Sequence, residues 1–312
     1  MEKSFLSVTS VPLVPLKTGR VVIRNQDMKF TITKKIFLTV FLISAVLFFV
    51  GPVHSSSTDP LQVVVSILPQ KYFVGRIAGE LARISVMVPP GSNPATYEPK
   101  PSQMRSLRES KLYFAINVPF ERAWLKKIAG VNPGLEVVHT DQLVKKGVTA
   151  SLDPHIWLSP PLVKLQARVI ADALIRTDPA RENIYRKNLL IFNKELDQLD
   201  AEIRGIFAGT EQATEFLVFH PSWGYFAAAY GLTQIPVEIE GKEPSLTETV
   251  KLIKYAKAKG IKIIFVQPQF ATKSAEAIAR EIGARVVIAD PLSQDWANNI
   301  REVAAKFKAA LR

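Results

Sequence analysis

Histidine is scarce in this chain and cysteine is absent, so the few residues able to ligate a metal or move a proton stand out. Four histidines occur, at positions 54, 139, 155 and 220. The apolar run 215–220 ends in His220 and stops at Pro221; the run 285–289 is followed by Asp290 and Pro291. Asp153-Pro154-His155-Ile156-Trp157 presents a third candidate in a turn. Ligands of open α/β sheets bind outside the carboxyl ends of strands, where these residues fall. Imidazole and carboxylate without thiolate suit Zn²⁺, Mn²⁺ or Fe²⁺. On the residues alone two readings stay open: a metal site built from His155, His220 and Asp290, or histidines satisfied as capping and core groups. His139, at the end of the run 135–139, reads as a surface or capping residue.

Something must bring these residues together. Short β-rich runs lie at 61–68, 84–88, 111–117, 135–139, 215–220, 234–239, 262–267 and 285–289. Helical patterns separate them, at 70–81, 102–110, 121–129, 162–176, 246–259, 274–282 and 296–311. Strands alternating with helices imply βαβ units and parallel sheets. The expected fold is α/β, with two similar lobes of about four parallel strands each. Between the lobes, apolar positions follow a 4-3 spacing through Leu189, Phe192, Leu196, Leu199, Ile203 and Ile206. Asp178-Pro179 reads as an N-cap with a first-turn proline, which predicts one helix over 179–207, about 43 Å long at about 1.5 Å per residue. Such a helix is a stiff spine across a ligand cleft. The expected division is an N-terminal extension 1–57, a first lobe 58–178, the linking helix 179–207 and a second lobe 208–312.

The basic balance, 40 Lys+Arg against 28 Asp+Glu, raises nucleic acid as a partner. Patterning argues against it. Residues 1–57 hold seven Lys/Arg and two acids, +5 of the net +12, and the remainder is scattered beside acids without basic blocks. Met28–Lys35 followed by the apolar run Ile36–Val50 and Ser55-Ser56-Ser57 has the order of a secretory signal, with Met28 a candidate start. The run of fifteen is shorter than the ~20 residues of a membrane span. With no cysteine to carry a lipid, the mature protein is expected free in the periplasm.

Four segments carry a resemblance to a known family: Pro89–Pro101 with Thr96-Tyr97-Glu98-Pro99, Asp153–Leu158, Phe219-His220-Pro221 with Tyr225-Phe226, and Ala289-Asp290-Pro291-Leu292. Over residues 60–312 the chain resembles the zinc/manganese solute-binding family (cluster A-I), the metal-binding periplasmic receptors of ABC importers. The resemblance implies two lobes joined by a long helix, metal held between them, and delivery to an ABC permease in the inner membrane by a monomer. It also implies ligands at His155, His220 and Asp290. The family's first histidine ligand is here Ala95, which cannot coordinate. Water could take the open place, Glu98 could supply an oxygen, or the cargo could be a chelated metal or other small ligand with its own donor; the first is favoured. Nitrogen ligands favour Zn²⁺ over Mn²⁺ or Fe²⁺. Glu240 and Glu243 are candidates to accept the second N–H of a ligating histidine. Trp157 and Trp223 are expected to pack around the site, Tyr97 to brace its loop and Lys242 to lie on a solvated face. A periplasmic metal buffer or chaperone is the alternative. A zinc hydrolase is disfavoured, since no HExxH or Gly-x-Ser-x-Gly segment occurs.

Overall fold

Eight short runs rich in Val, Ile, Leu and Phe form strands, as their composition and turn-bounded length dictate. They are β1 Leu61–Val65, β2 Ala82–Val86, β3 Leu112–Ala115, β4 Glu136–His139, β5 Thr214–Val218, β6 Leu232–Pro236, β7 Ile263–Val266 and β8 Arg285–Ile288. The computed structural model describes residues 59–144, 153–211, 213–238, 242–270 and 273–311. The export segment 28–57 and Glu240 lie outside them. The strands form two wholly parallel sheets with orders β2-β1-β3-β4 and β6-β5-β7-β8. The same order thus occurs twice. In each sheet the chain starts in the middle and winds both ways, which leaves a crevice at the carboxyl ends of the two central strands. β3 and β7 are buried at every residue, as strands covered on both faces must be.

The helices are α1 Leu68–Ala78, α2 Pro101–Ser106, α3 Pro119–Val131, α4 Pro160–Thr177, α5 Glu182–Phe207, α6 Gly224–Ala229, α7 Leu246–Ala258, α8 Lys273–Ile282 and α9 Trp296–Ala310. Short α6 has no counterpart among the sequence expectations. Prolines open α2, α3 and α4, where the missing N–H costs nothing. Helix α5 is the spine: 26 residues, uninterrupted, about 39 Å long. Its start differs from expectation. Pro179–Arg181 form a 3₁₀ turn, and Asp178 caps no backbone N–H with its side chain. The carboxylate accepts instead from Arg181 Nη1 (2.9 Å) and the Tyr185 hydroxyl (2.7 Å). A charge-assisted pair and a phenol are stronger partners than a neutral amide.

The buried stripe Tyr185, Phe192, Leu196, Leu199, Ile203 and Phe207 faces α1, α4 and α9. Tyr72 and Phe73 of α1, Phe192 of the spine and Trp296 of α9 share ring contacts at centroid distances of 5.1–6.2 Å. Buried hydrogen bonds reinforce this junction: Trp296 Nε1 donates to the Trp157 carbonyl (2.8 Å), and Trp157 Nε1 to the Pro291 carbonyl (2.7 Å). The first sheet, the spine and one face of the second sheet therefore share one core. Alternation splits the second sheet. Phe216, Val218 and Phe265 join that common core, whereas Leu217, Phe219, Ile264 and Val266 form a separate one under α7 and α8. No helix among the described residues is long and apolar enough to cross a membrane.

Candidate metal centre

His155 is set by a local device. Asp153 precedes a proline that stops regular structure, and its Oδ1 accepts both the His155 backbone N–H (2.9 Å) and the imidazole Nδ1–H (2.7 Å). A carboxylate only accepts, so Nδ1 carries the hydrogen and the Nε2 lone pair is left for a metal. Burial pushes the imidazole below its ordinary pKa; Asp153 pulls the other way, and neighbouring His220 adds to the lowering. The ring also packs on Trp157, at 5.0 Å.

His220 is set by non-local partners. It stands two residues past β5, at the central crevice of the second sheet. Buried Gln267, just past β7, clamps its main chain from both sides: Oε1 accepts its N–H (3.1 Å), and Nε2 donates to its carbonyl (2.8 Å). The ring stacks on Phe270 at 4.5 Å. Its Nδ1 lies 2.6 Å from Oε2 of Glu238, a carboxylate only 6% exposed. The β5–β6 register explains this partner: Val218 faces Pro236, so two residues further His220 meets Glu238. The structure thus brings His155 and His220 together. Their ring centroids are 5.3 Å apart in an edge-to-face arrangement, with each Nδ1 tied to its own carboxylate.

Asp290 follows β8 on the same side. Its Oδ1 accepts from Gln269 Nε2 (2.8 Å) and from the Leu292 N–H (2.9 Å). Among the described residues no three His, Asp or Glu side chains converge on one point, so Asp290 is not gathered with the two histidines. Both histidines line a cavity of about 740 Å³, with Ala95, Arg122, Gln234 and Gln269 also on its walls. The Ala95 N–H donates to Asn93 Oδ1 (2.8 Å), and the Pro94 carbonyl accepts from the Phe120 N–H (2.9 Å), which seats this loop against the start of α3. Glu98 is exposed and outside the cavity lining. Exposed Glu243 accepts from Ser274 Oγ (3.3 Å) and touches neither histidine. His139 lies outside the cavity lining, 4.0 Å from Asp141. Tyr97 braces its loop through a hydroxyl bond to Gln103 (2.5 Å), and Trp223 packs on Phe226 and Phe307.

Asp153 and Glu238 escaped the sequence reading as partners of the histidines. Asp-Pro-His was a usable signal for the first, because an aspartate two residues ahead can close on its neighbour. For the second, alternation allowed Glu238 or Glu240, and only the register separates them.

Two parallel α/β lobes on a rigid spine, with facing imidazoles in the intervening cleft, define a two-lobed solute receptor. Residues 63–310 match the family described as the periplasmic component A of zinc-uptake complexes, and the chain belongs to that family. It is 26% identical over 280 residues to the high-affinity zinc uptake system protein ZnuA of Bacillus subtilis, covering 81% of this chain and 87% of that one. A crystal structure of ZnuA superposes with a TM-score of 0.78 at 44% identity, covering 81% of this chain and all of that one. A ZnuA deletion mutant with zinc bound superposes at 0.77 and 45%, covering 81% and 98%. The chain is a zinc-receptor-like solute-binding protein.

Proposed function

We propose that the chain captures Zn²⁺ between His155 and His220 and hands it to an ABC permease, with Mn²⁺ or Fe²⁺ as weaker cargo. The observation that carries this reading is the 5.3 Å separation of two imidazoles whose Nδ1 atoms are already held by carboxylates. With Zn–N at about 2.05 Å and a ring centre roughly 1.2 Å behind Nε2, two imidazoles on one tetrahedral Zn²⁺ have centroids about 5.2 Å apart. The pair is preorganised for that geometry. Asp290 is the third donor, reached when its carboxylate leaves Gln269 as the lobes settle on the ion. Water takes the fourth place, at Ala95. Two neutral imidazoles and one carboxylate leave a site charge of +1 with a divalent ion, which permits release at the permease.

Supporting the transport role, the described residues lining the cavity include no Ser, Thr, Cys, Tyr or Lys, and their one carboxylate, Asp153, is bonded to His155. In this reading the receptor carries its cargo without a chemical step, as a monomer that binds no nucleic acid. Residues 28–57 act as a cleavable signal that places the mature chain in the periplasm, without a lipid anchor. Metal analysis of the purified mature chain, followed by Zn²⁺ and Mn²⁺ titration after chelator stripping, tests the reading. Stoichiometric Zn²⁺ lost in His220→Ala supports it. Unchanged binding in His220→Ala would falsify it.

A further inference from the structure

A bare divalent ion with its shell of donors fills a small part of a cavity of about 740 Å³, since one water occupies only about 30 Å³. Cavities of this size are those of small organic ligands. The walls agree with such a ligand. Ala95 supplies no side-chain donor, while the exposed Arg122 of α3 lines the same cavity. The hydrogen bond from Phe120 N–H to the Pro94 carbonyl seats the Ala95 loop against the first turn of α3, from which Arg122 projects. Arg122 has no ion pair or hydrogen bond among the described residues, and it is the sole Lys or Arg among those lining the cavity. The other charged lining residue, Asp153, is engaged by His155. Gln269 offers a further handle: its Nε2 donates to Asp290 while no ion is bound, and its buried Oε1 accepts no hydrogen bond among the described residues.

For a bare dication the guanidinium is a like charge in the same cleft. An anionic chelate reverses that sign. We propose that the receptor takes Zn²⁺ together with a small polycarboxylate chelator, whose one carboxylate fills the coordination place beside Ala95 and whose other meets Arg122. This rests on the reading of His155 and His220 as metal ligands and names the form in which the metal arrives. Arg suits the task because its fork pairs with carboxylate oxygens in two parallel bonds. A hydroxyl on the chelator would donate to Gln269 Oε1. The step is ligand exchange only: three waters or chelator atoms leave the ion, and the two imidazole nitrogens and the Asp290 carboxylate replace them.

The test titrates metal-stripped protein with Zn²⁺ alone, and with Zn²⁺ premixed with citrate or with nitrilotriacetate, reading stoichiometry by native mass spectrometry. The expected result is a protein–zinc–chelator complex of 1:1:1. Its affinity should be about tenfold above that predicted from the free Zn²⁺ the chelator leaves in solution. Arg122→Gln should lose that gain and, relieved of a like charge, bind Zn²⁺ alone about twofold tighter. Zinc entering without either chelator, with affinity falling as the chelator's buffering dictates, overturns the proposal and leaves the metal site standing. Zinc binding in neither form, or binding indifferent to His220→Ala in both, overturns the metal site and the proposal together.

Discussion

The two lobes share a strand order but spend the same crevice differently. Two residues past β5 stands His220, which lines the cleft; two residues past β1 stands Ile67, buried in the core. In the second lobe the crevice is filled by Gln267, a neutral side chain that clamps the backbone of the histidine. In the first, buried Gln70 likewise clamps the strand ends, its Oε1 accepting from the Ser66 N–H (3.0 Å) and its Nε2 donating to the Phe114 carbonyl (3.1 Å), and beside it a buried carboxylate, Glu121, accepts from the N–H groups of Ile116 (2.9 Å) and Asn117 (2.6 Å) and from the Ser66 hydroxyl, which also meets Tyr113. The first lobe therefore uses its crevice to hold a loop. It takes its histidine from a turn beyond the sheet. One topology supplies two places where a strand end can present a side chain, and the side chains there decide which becomes a binding site.

The comparison breaks most sharply at the histidines. Zinc titration by calorimetry should show His155→Ala and His220→Ala each losing more than about a hundredfold in affinity, because two donors hold the ion poorly against water. A large loss in one and none in the other would mean that the lobes do not share the metal. The next effect separates the two supports. Glu238→Ala should cost about 10–100-fold, the range for removing the group that orients a ligating histidine. Asp153→Asn should cost only about threefold, since the amide oxygen still accepts from Nδ1–H and from the backbone N–H. Equal losses would show that local and cross-strand support do the same job.

Ala95→His adds an imidazole on the first-lobe wall and should tighten bare Zn²⁺ by about tenfold, or about 1.4 kcal/mol. A null result there alongside a severe His220→Ala would indicate that another group already occupies the place.

A separate effect concerns stability rather than affinity. Burial pushes Glu121 up to about 7 from 4.5, against the opposing hydrogen bonds from Ser66, Ile116 and Asn117. A raised carboxyl means that the folded state binds the proton more tightly than the unfolded state. Stability therefore falls as pH rises from about 4.5 to about 7, and the cost is carried in full above that. Glu121→Gln should flatten the denaturation midpoint across this window, removing a pH-dependent difference of about 3 kcal/mol. Gln267 of the second lobe does not titrate, so Gln267→Ala should lower stability equally at pH 5 and pH 7.

Much of this protein was legible without its structure, wherever the determining interaction is local. Val- and Ile-rich runs bounded by turn residues became all eight strands, and the 4-3 stripe from Phe192 to Ile203 became the buried face of the spine. Pro154, Pro221 and Pro291 mark ends of regular structure, where His155, His220 and Asp290 stand. Tertiary structure alone decided the rest, because the partners are distant in sequence. Asp178 turned from its helix cap to Tyr185 and Arg181 once the helix packed. Trp157 became a hydrogen-bonded staple to Pro291, 134 residues away. The pleat allows either Glu238 or Glu240 beside His220, and the parallel register of β5 on β6 chooses Glu238. Sequence periodicity tells which way a side chain points. It does not tell what stands opposite, and for a site held by facing side chains that is the deciding quantity.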